Sequence, residues 1–335
     1  MVASGQHILV ILEQGAVPFC SYENPHYHSV AEPRWMSTEL LSAFMRHARK
    51  QQIAPTFLLG KTRPPAGLEK LIDTVAHAKI VPLPLAEEYP DAVLVLDAED
   101  KASFADLSDS VERNVILRVA KPKGVSAMAE ALRGKFKRLS LHQTGLEYFT
   151  DADMAVYEDE LGKIAKMLGT LYRGGEGVEI NVLSDRIMLT AMRNCGAGAD
   201  HLTLAPNGKL YICPAFYFED EADFIGEIDP KKGLVAKPIA AVELARAPLC
   251  SRCDAFHCKR CVFLNRKTTR ELNIPSEQQC ALAHTEREAS RQLLIDLGKL
   301  EPFARMPRIP ELTYRDPLEC IDMPPRADPA SDPML

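Results

Sequence analysis

Seven of the nine cysteines fall between positions 195 and 280: Cys195, Cys213, Cys250, Cys253, Cys258, Cys261 and Cys280. The dense centre reads CSRCDAFHCKRC, two CxxC pairs separated by four residues. A dithiol on a two-residue loop can aim both sulfurs at one ion, and soft thiolates suit zinc or iron–sulfur iron. His201 and His257 lie inside the same stretch. Each is either a further ligand or an ordinary neighbouring side chain, since histidine serves zinc regularly and iron–sulfur clusters occasionally. A second group follows the first apolar run, on GAVPFCSYENPHYHS, with Cys20, Asn24, His26 and His28. It reads as a metal or substrate site at the carboxyl end of a strand, or as a polar loop with one buried cysteine.

Bulk properties narrow the setting. The net charge of −6 provides no general basic footprint for nucleic acid. The 335 residues, 46 % of them hydrophobic and 26 % charged, suit a globular chain with one large core or two smaller ones. No apolar run approaches about 18 residues, so no transmembrane helix is expected. The opening MVASGQHILVILEQ has no basic segment before its apolar run, which reads as a first strand and not as an export signal. The expected compartment is the cytoplasm. There, clustered cysteines are metal ligands more often than disulfides.

The elements that must carry these residues alternate through the first 190 positions. Apolar runs at 7–12, 55–60, 79–83, 92–96, 114–119, 138–142 and 178–183 predict strands. Helical patterns occupy 37–51, 67–78, 101–112, 124–135 and 151–172 between them. Short continuous apolar runs suit parallel strands covered on both faces, and the alternation implies βαβ units. The expected fold class is α/β, a partial (β/α) barrel, with a doubly wound open sheet as the alternative. Ser37 and the acids of the first turns near Asp151 mark helix starts.

From Cys195 the texture changes to short strands at 201–204, 209–213 and 224–228, with Pro206–Asn207–Gly208 as a hairpin turn. Phe216, Tyr217 and Phe218 either line a peptide groove, cover a cluster or complete a core. A closing helix is expected at 281–300, then an irregular Pro/Asp-rich tail over 301–335 that contains Cys320, to which no role is assigned. The chain thus divides into a barrel at 1–190, a cysteine module with closing helix at 191–300, and the tail.

Cys195, Gly208 and Cys213, spaced by twelve and four residues, resemble the opening of the SPASM domain, a carboxy-terminal extension of radical S-adenosylmethionine (AdoMet) enzymes that modify peptides and proteins. Cys250, Cys253, Cys258, Cys261 and Cys280 follow in that family's order, with gaps of four and two residues where five and three are usual. The resemblance implies two four-iron four-sulfur clusters. One takes Cys195, Cys213 and Cys261, with His201 as candidate fourth ligand or an open position. The other takes Cys250, Cys253, Cys258 and Cys280. Zinc is the alternative metal.

The amino-terminal half resembles a radical AdoMet barrel, whose CxxxCxxC loop here reads Cys20, Asn24 and Tyr27. Two of three thiolates are replaced, so the standard AdoMet-cleaving cluster, and AdoMet itself, are not expected. The combination is similar to the CXXX repeat peptide maturases in FCSYENP (19–25), HCKRCVFLN (257–265), Gln279–Cys280 and His284–Arg287. This implies a part in maturing a ribosomally made peptide with regularly spaced cysteines, the precursor being the partner. An open cluster iron as Lewis acid and a catalytic partner protein are both compatible with it. So are a non-catalytic recruitment role with a structural Zn or Fe–S module and electron transfer to a separate enzyme. No catalytic residue is assigned.

Overall fold

The computed structural model describes residues 7–29, 34–109, 113–192, 195–229 and 231–312. Its elements run β1 (His7–Ile11), α1 (Thr38–Gln51), β2 (Thr56–Leu58), α2 (Ala66–Ile72), β3 (Ala78–Pro82), β4 (Val93–Asp97), β5 (Asn114–Val119), α3 (Val125–Ala131), β6 (Arg138–Gln143), α4 (Asp151–Arg173), β7 (Glu179–Ile180) and α5 (Asn181–Met188). After these come β8 (His201–Leu204), β9 (Lys209–Tyr211), α6 (Pro214–Glu219), β10 (Gly226–Asp229), β11 (Gly233–Ala236), α7 (Val262–Thr269) and α8 (Glu277–Leu297).

The strands form one sheet, ordered β11-β10-β9-β8-β1-β2-β3-β4-β5-β6-β7. From β8 through β7 every neighbouring pair is parallel, while β9, β10 and β11 add antiparallel beyond β8. Parallel strands laid down in sequence order, with crossovers of one hand, place their helices on one face and curl the sheet around the other. That order has no switch point, so the doubly wound alternative is excluded. The partial barrel is what forms. β8 pairs with β1 at His7 and His201, so the sheet runs unbroken across residue 190.

Period-two alternation sorts the side chains. Ile8 and Val10 of β1, Val115 and Leu117 of β5, and Leu139 and Leu141 of β6 join Leu41, Phe44 and Leu161 under the helices. Leu9, Ile11, Leu58, Ile80, Val95 and Ile116 point to the concave face, where Phe216, Tyr217 and Phe263 from the carboxy-terminal half cover them. The three aromatics at 216–218 are thus core, and Phe218 stacks on Tyr22 with centroids 5.8 Å apart. The helix starts follow local chemistry. Ser37 Oγ accepts the Leu40 N–H at 3.2 Å, and Thr150 with Asp153 forms a capping box on α4.

Several expected elements differ. The run 178–183 is strand for two residues only, and α5 begins at Asn181. The Asn181 amide takes over the strand's pairing, accepting the Leu141 N–H at 2.7 Å and donating to the Leu141 carbonyl at 3.2 Å. One turn on, Asp185 receives both hydrogen bonds of Arg138 Nη2 at 2.7 Å. The expected helix at 101–112 is a 3-10 segment over Ala98–Asp106, and 110–112 lie outside the described residues. α2 stops at Ile72, so that Ala78 opens β3. α8 starts earlier than expected, capped by Ser276. The short elements α6, α7 and β11 give too little periodicity to read in sequence. Residues 313–335, Cys320 among them, lie outside the described residues. Among the described residues no helix is long and apolar enough to cross a membrane.

At the rim, Glu13 is 2 % exposed, and its Oε1 accepts the Gly60 N–H at 2.6 Å. A Cβ at Gly60 would lie 2.1 Å from that oxygen, so the close approach needs glycine. Burial pushes the Glu13 carboxyl from 4.5 up to about 7.

Two outcomes follow from this packing. Asn181→Leu strands both Leu141 backbone groups in the core, and the urea midpoint followed by circular dichroism should fall by the equivalent of about 2–4 kcal/mol. For Glu13, the folded carboxyl holds its proton more tightly than the unfolded one. Below pH 4.5 ionisation costs nothing, stability falls as pH rises from 4.5 to about 7, and the loss is complete above that. Glu13→Gln, which keeps the acceptor, should flatten thermal midpoints across this window and recover about 1–3 kcal/mol at pH 8. An unchanged slope would show that Glu13 does not titrate there.

Candidate functional site

The loop after β1 folds inward because of one side chain. Arg118 occupies a concave-face position on β5 and its side chain is 3 % exposed. Its Nε donates to the Cys20 carbonyl at 3.0 Å. Nη2 donates to the Tyr22 carbonyl at 2.9 Å and to Glu23 Oε1 at 2.6 Å, and Nη1 to Asp97 Oδ1 at 2.9 Å. Desolvation raises the Asp97 carboxyl and Arg118 opposes this. A planar fork with every acceptor placed fixes the loop on the inner face.

Within the loop the four candidates part company. The Asn24 amide is spent on the backbone, donating to the Gln14 carbonyl at 3.0 Å and the Ala16 carbonyl at 2.7 Å while accepting the His26 N–H at 2.9 Å. His26 is half-buried and His28 exposed, its Nδ1 3.2 Å from Lys61 Nζ. Lys61 also lies over the Tyr27 ring, 4.5 Å from its centroid. Cys20 alone turns to the interior. It lines a cavity of about 460 Å³ together with Cys195, Cys213 and Cys261.

These thiols feel one another. Burial raises Cys195, with Cys20 adding to the effect, and it pushes Cys213 well up, with Cys261 and Cys195 adding. Cys261 is pushed up to about 12 by burial, then by Cys20 and Cys195. The backbone works the other way. The N–H groups of Ala197 and Ala215 hydrogen-bond the sulfurs of Cys195 and Cys213, and Leu264 N–H lies 3.5 Å from Cys261 Sγ, where that sulfur caps α7. Lys259 and Arg260 also favour the Cys195 thiolate. His201 lies on the same cavity opposite His7, and burial followed by His7 lowers it to about 4. His142, on β6, meets Lys259 Nζ through its ring nitrogens, and burial holds it well below its ordinary value.

A second cavity, of about 690 Å³, is lined by Cys250, Cys253, Cys258, Cys280 and His284. Burial raises Cys258 well above its ordinary value, with Cys253, Cys250 and Cys280 adding, and it takes Cys250 to about 11. Ala255 N–H reaches Cys253 Sγ at 3.4 Å, and Arg260 N–H reaches Cys258 Sγ at 3.3 Å. Arg260 takes φ 45°, a left-handed conformation rare outside glycine. The turn sends Cys258 and Cys261, three positions apart, to different cavities. Asp254 anchors the CxxC loop. It receives Arg287 Nε at 2.8 Å and Nη2 at 2.7 Å, with Arg186 Nη2 at 3.2 Å. His257 pairs with Glu286 of α8 at 3.2 Å, and Glu286 also accepts Tyr157 Oη–H at 2.7 Å.

Sequence reading gave no role to Arg118 or His284. His284 lies 3.6 Å from Cys253 Sγ and follows Cys280 by four positions, one helix face, which was a readable signal. An arginine at an inward register of an apolar strand was another. Among the described residues no three His, Cys, Asp or Glu form a group that could hold a metal ion. The thiols stand around two open cavities, with His284 on one and His201 on the other.

Arg118→Met removes the fork and leaves Asp97 desolvated beside it. The expected loss is about 3–5 kcal/mol, with faster proteolysis between positions 19 and 28. A loop as resistant as in the parent protein would remove Arg118 as its anchor.

No family model and no curated protein matches this chain. Solved structures do. Hexahistidine-tagged anSMEcpe with bound AdoMet superposes with a TM-score of 0.56 at 12 % identity, over 87 % of this chain and 98 % of that one. Native anSMEcpe with AdoMet and the Cp18Cys peptide, and with AdoMet and the Kp18Cys peptide, each give 0.55 at 12 %, over 88 % and 99 %. All three neighbours hold AdoMet, so the fold itself gives no ground for expecting that cofactor to be absent, and that expectation is withdrawn. The likeness establishes the architecture: this chain shares its fold with the AdoMet-bound anSMEcpe structures.

Proposed function

We propose that the chain takes part in maturing a ribosomally synthesised cysteine-repeat peptide in the cytoplasm, holding two four-iron four-sulfur clusters in its cysteine-rich half. The observation that carries this reading is the division of the cysteines into two groups, each on its own cavity. Backbone N–H groups two or three positions on meet five of these sulfurs, which favours thiolate.

Cys250, Cys253, Cys258 and Cys280 would hold the outer cluster, and Cys195, Cys213 and Cys261 the inner. Bound there, the clusters would supply one-electron chemistry at potentials set by burial and N–H···S bonds. Lys259 and Arg260, between Cys258 and Cys261, bring positive charge to both. The anSMEcpe complexes contain cysteine-bearing peptides, which supports a peptide partner in general. For AdoMet, a rim cavity of about 540 Å³ beside Tyr27, Lys61, Asp97, Asp100 and Arg118 offers room.

A second reading, a recruitment or electron-transfer subunit, is favoured by the state of the rim loop. Asn24 is occupied by backbone and Tyr27 by Lys61, so this loop brings a single thiol to the interior.

Anaerobic purification with iron and sulfide analysis separates the metals: about eight of each per chain is expected. Zinc alone, with no absorbance near about 400 nm after reconstitution, would sink the cluster reading. Incubation with a cysteine-repeat peptide, reductant and AdoMet should then change the peptide mass. Binding without any mass change transfers the weight to the recruitment reading.

A further inference from the structure

We propose that Cys20, and not His201, supplies the fourth ligand of the inner cluster, so that this centre is bound by four thiolates drawn from both halves of the chain. The proposal rests on the two-cluster reading above and concerns which side chains close the inner site.

The geometry carries it. Cys20, Cys195, Cys213 and Cys261 line one cavity and pack on the same apolar cluster of the concave face. His201 also borders this cavity. It sits at the first position of β8, in register with the first residue of β1. Cys20 belongs to the opposite, carboxyl end of β1, where the chain returns over the concave face.

Cys20 is also held for the purpose. Its own carbonyl accepts Arg118 Nε at 3.0 Å, and the Tyr22 carbonyl accepts Nη2 at 2.9 Å. Tyr22 is buried between Phe19 and Phe218, with centroids 5.9 and 5.8 Å away. The residue is therefore positioned from both sides of its peptide.

Ligation takes each cysteine as thiolate, its proton leaving to solvent, and makes one Fe–S bond per residue. Four such bonds leave no iron open. The inner centre is then closed to substrate, unlike a three-cysteine cluster with a free position. The cluster would also tie the β1 loop to the module that begins at Cys195.

The test uses the full chain, reconstituted anaerobically, with Cys20→Ala, Cys20→Ser and His201→Ala beside the parent. The parent should hold about eight iron, and its reduced paramagnetic spectrum should not change with added cyanide or imidazole. Cys20→Ala should fall to between about four and seven iron, and the inner signal that remains should shift with either ligand. His201→Ala should match the parent in both. Full iron with an unshifted spectrum in Cys20→Ala, or a ligand-sensitive centre in His201→Ala alone, overturns the assignment. Circular dichroism of the metal-free variants separates loss of a ligand from loss of fold, and Cys20→Ser keeps the side-chain volume. A parent chain without iron would instead overturn the two-cluster reading itself.

Discussion

A guanidinium buried in the mouth of a barrel has to be satisfied on every side, and Arg118 meets that demand by capturing the loop after β1. The constraint works in both directions. Without the carbonyls of Cys20 and Tyr22 and the carboxylates of Asp97 and Glu23, a charge on the concave face would cost several kcal/mol. Without Arg118, the loop keeps the Asn24 bonds and the packing of Tyr22 but loses the anchor on the Cys20 carbonyl. The pairing thus converts a strand register, the inward position of β5, into the location of a thiol 98 residues away in sequence.

A similar device holds the other cavity. Arg287, with a fully buried side chain on α8, is matched to Asp254 through two nearly equal hydrogen bonds, and Arg186 of α5 shares that carboxylate. α8 packs along α4 and α5, so the CxxC loop is fastened to the barrel wall through an ion network and not through its own short elements. His257 and Tyr157 meet on Glu286 one residue earlier. The acidic–basic helix that follows Cys280 is therefore structural at 286 and 287. At 284 it faces sulfur.

What was legible in the sequence divides along the same line. Six of the seven strand runs in the first half fell where apolar continuity placed them, because parallel strands covered on both faces leave that signature. The run at 178–183 did not, because the Asn181 side chain substitutes for a strand residue, and no periodicity registers that exchange. The CxxC pairs were legible because their geometry is local. The company that Cys20 keeps was not. It depends on how far the sheet curls and on which way one loop falls, and both are set by contacts between residues about a hundred or more positions apart.

The inner cavity owes its existence to the barrel's failure to close. A closed eight-stranded barrel fills its interior with layers of branched apolar side chains. Among the described residues β7 pairs with β6, and β8 with β1 and β9. The space between them is bordered by Arg138, Asn181 and Asp185 on one side and Cys195, Asp200 and His201 on the other. Inward positions near it are polar, with Arg138, Ser140 and His142 on β6 and His7 and His201 on β1 and β8. These residues are partnered, Arg138 with Asp185, His142 with Lys259 and His7 with Thr56, so the seam is a polar lining and not a dry apolar core. The cysteines enter at this seam from β8's side and from the loop above β1. A body with its own volume and charge, bound by sulfur from both, would close the wall that the strands leave open.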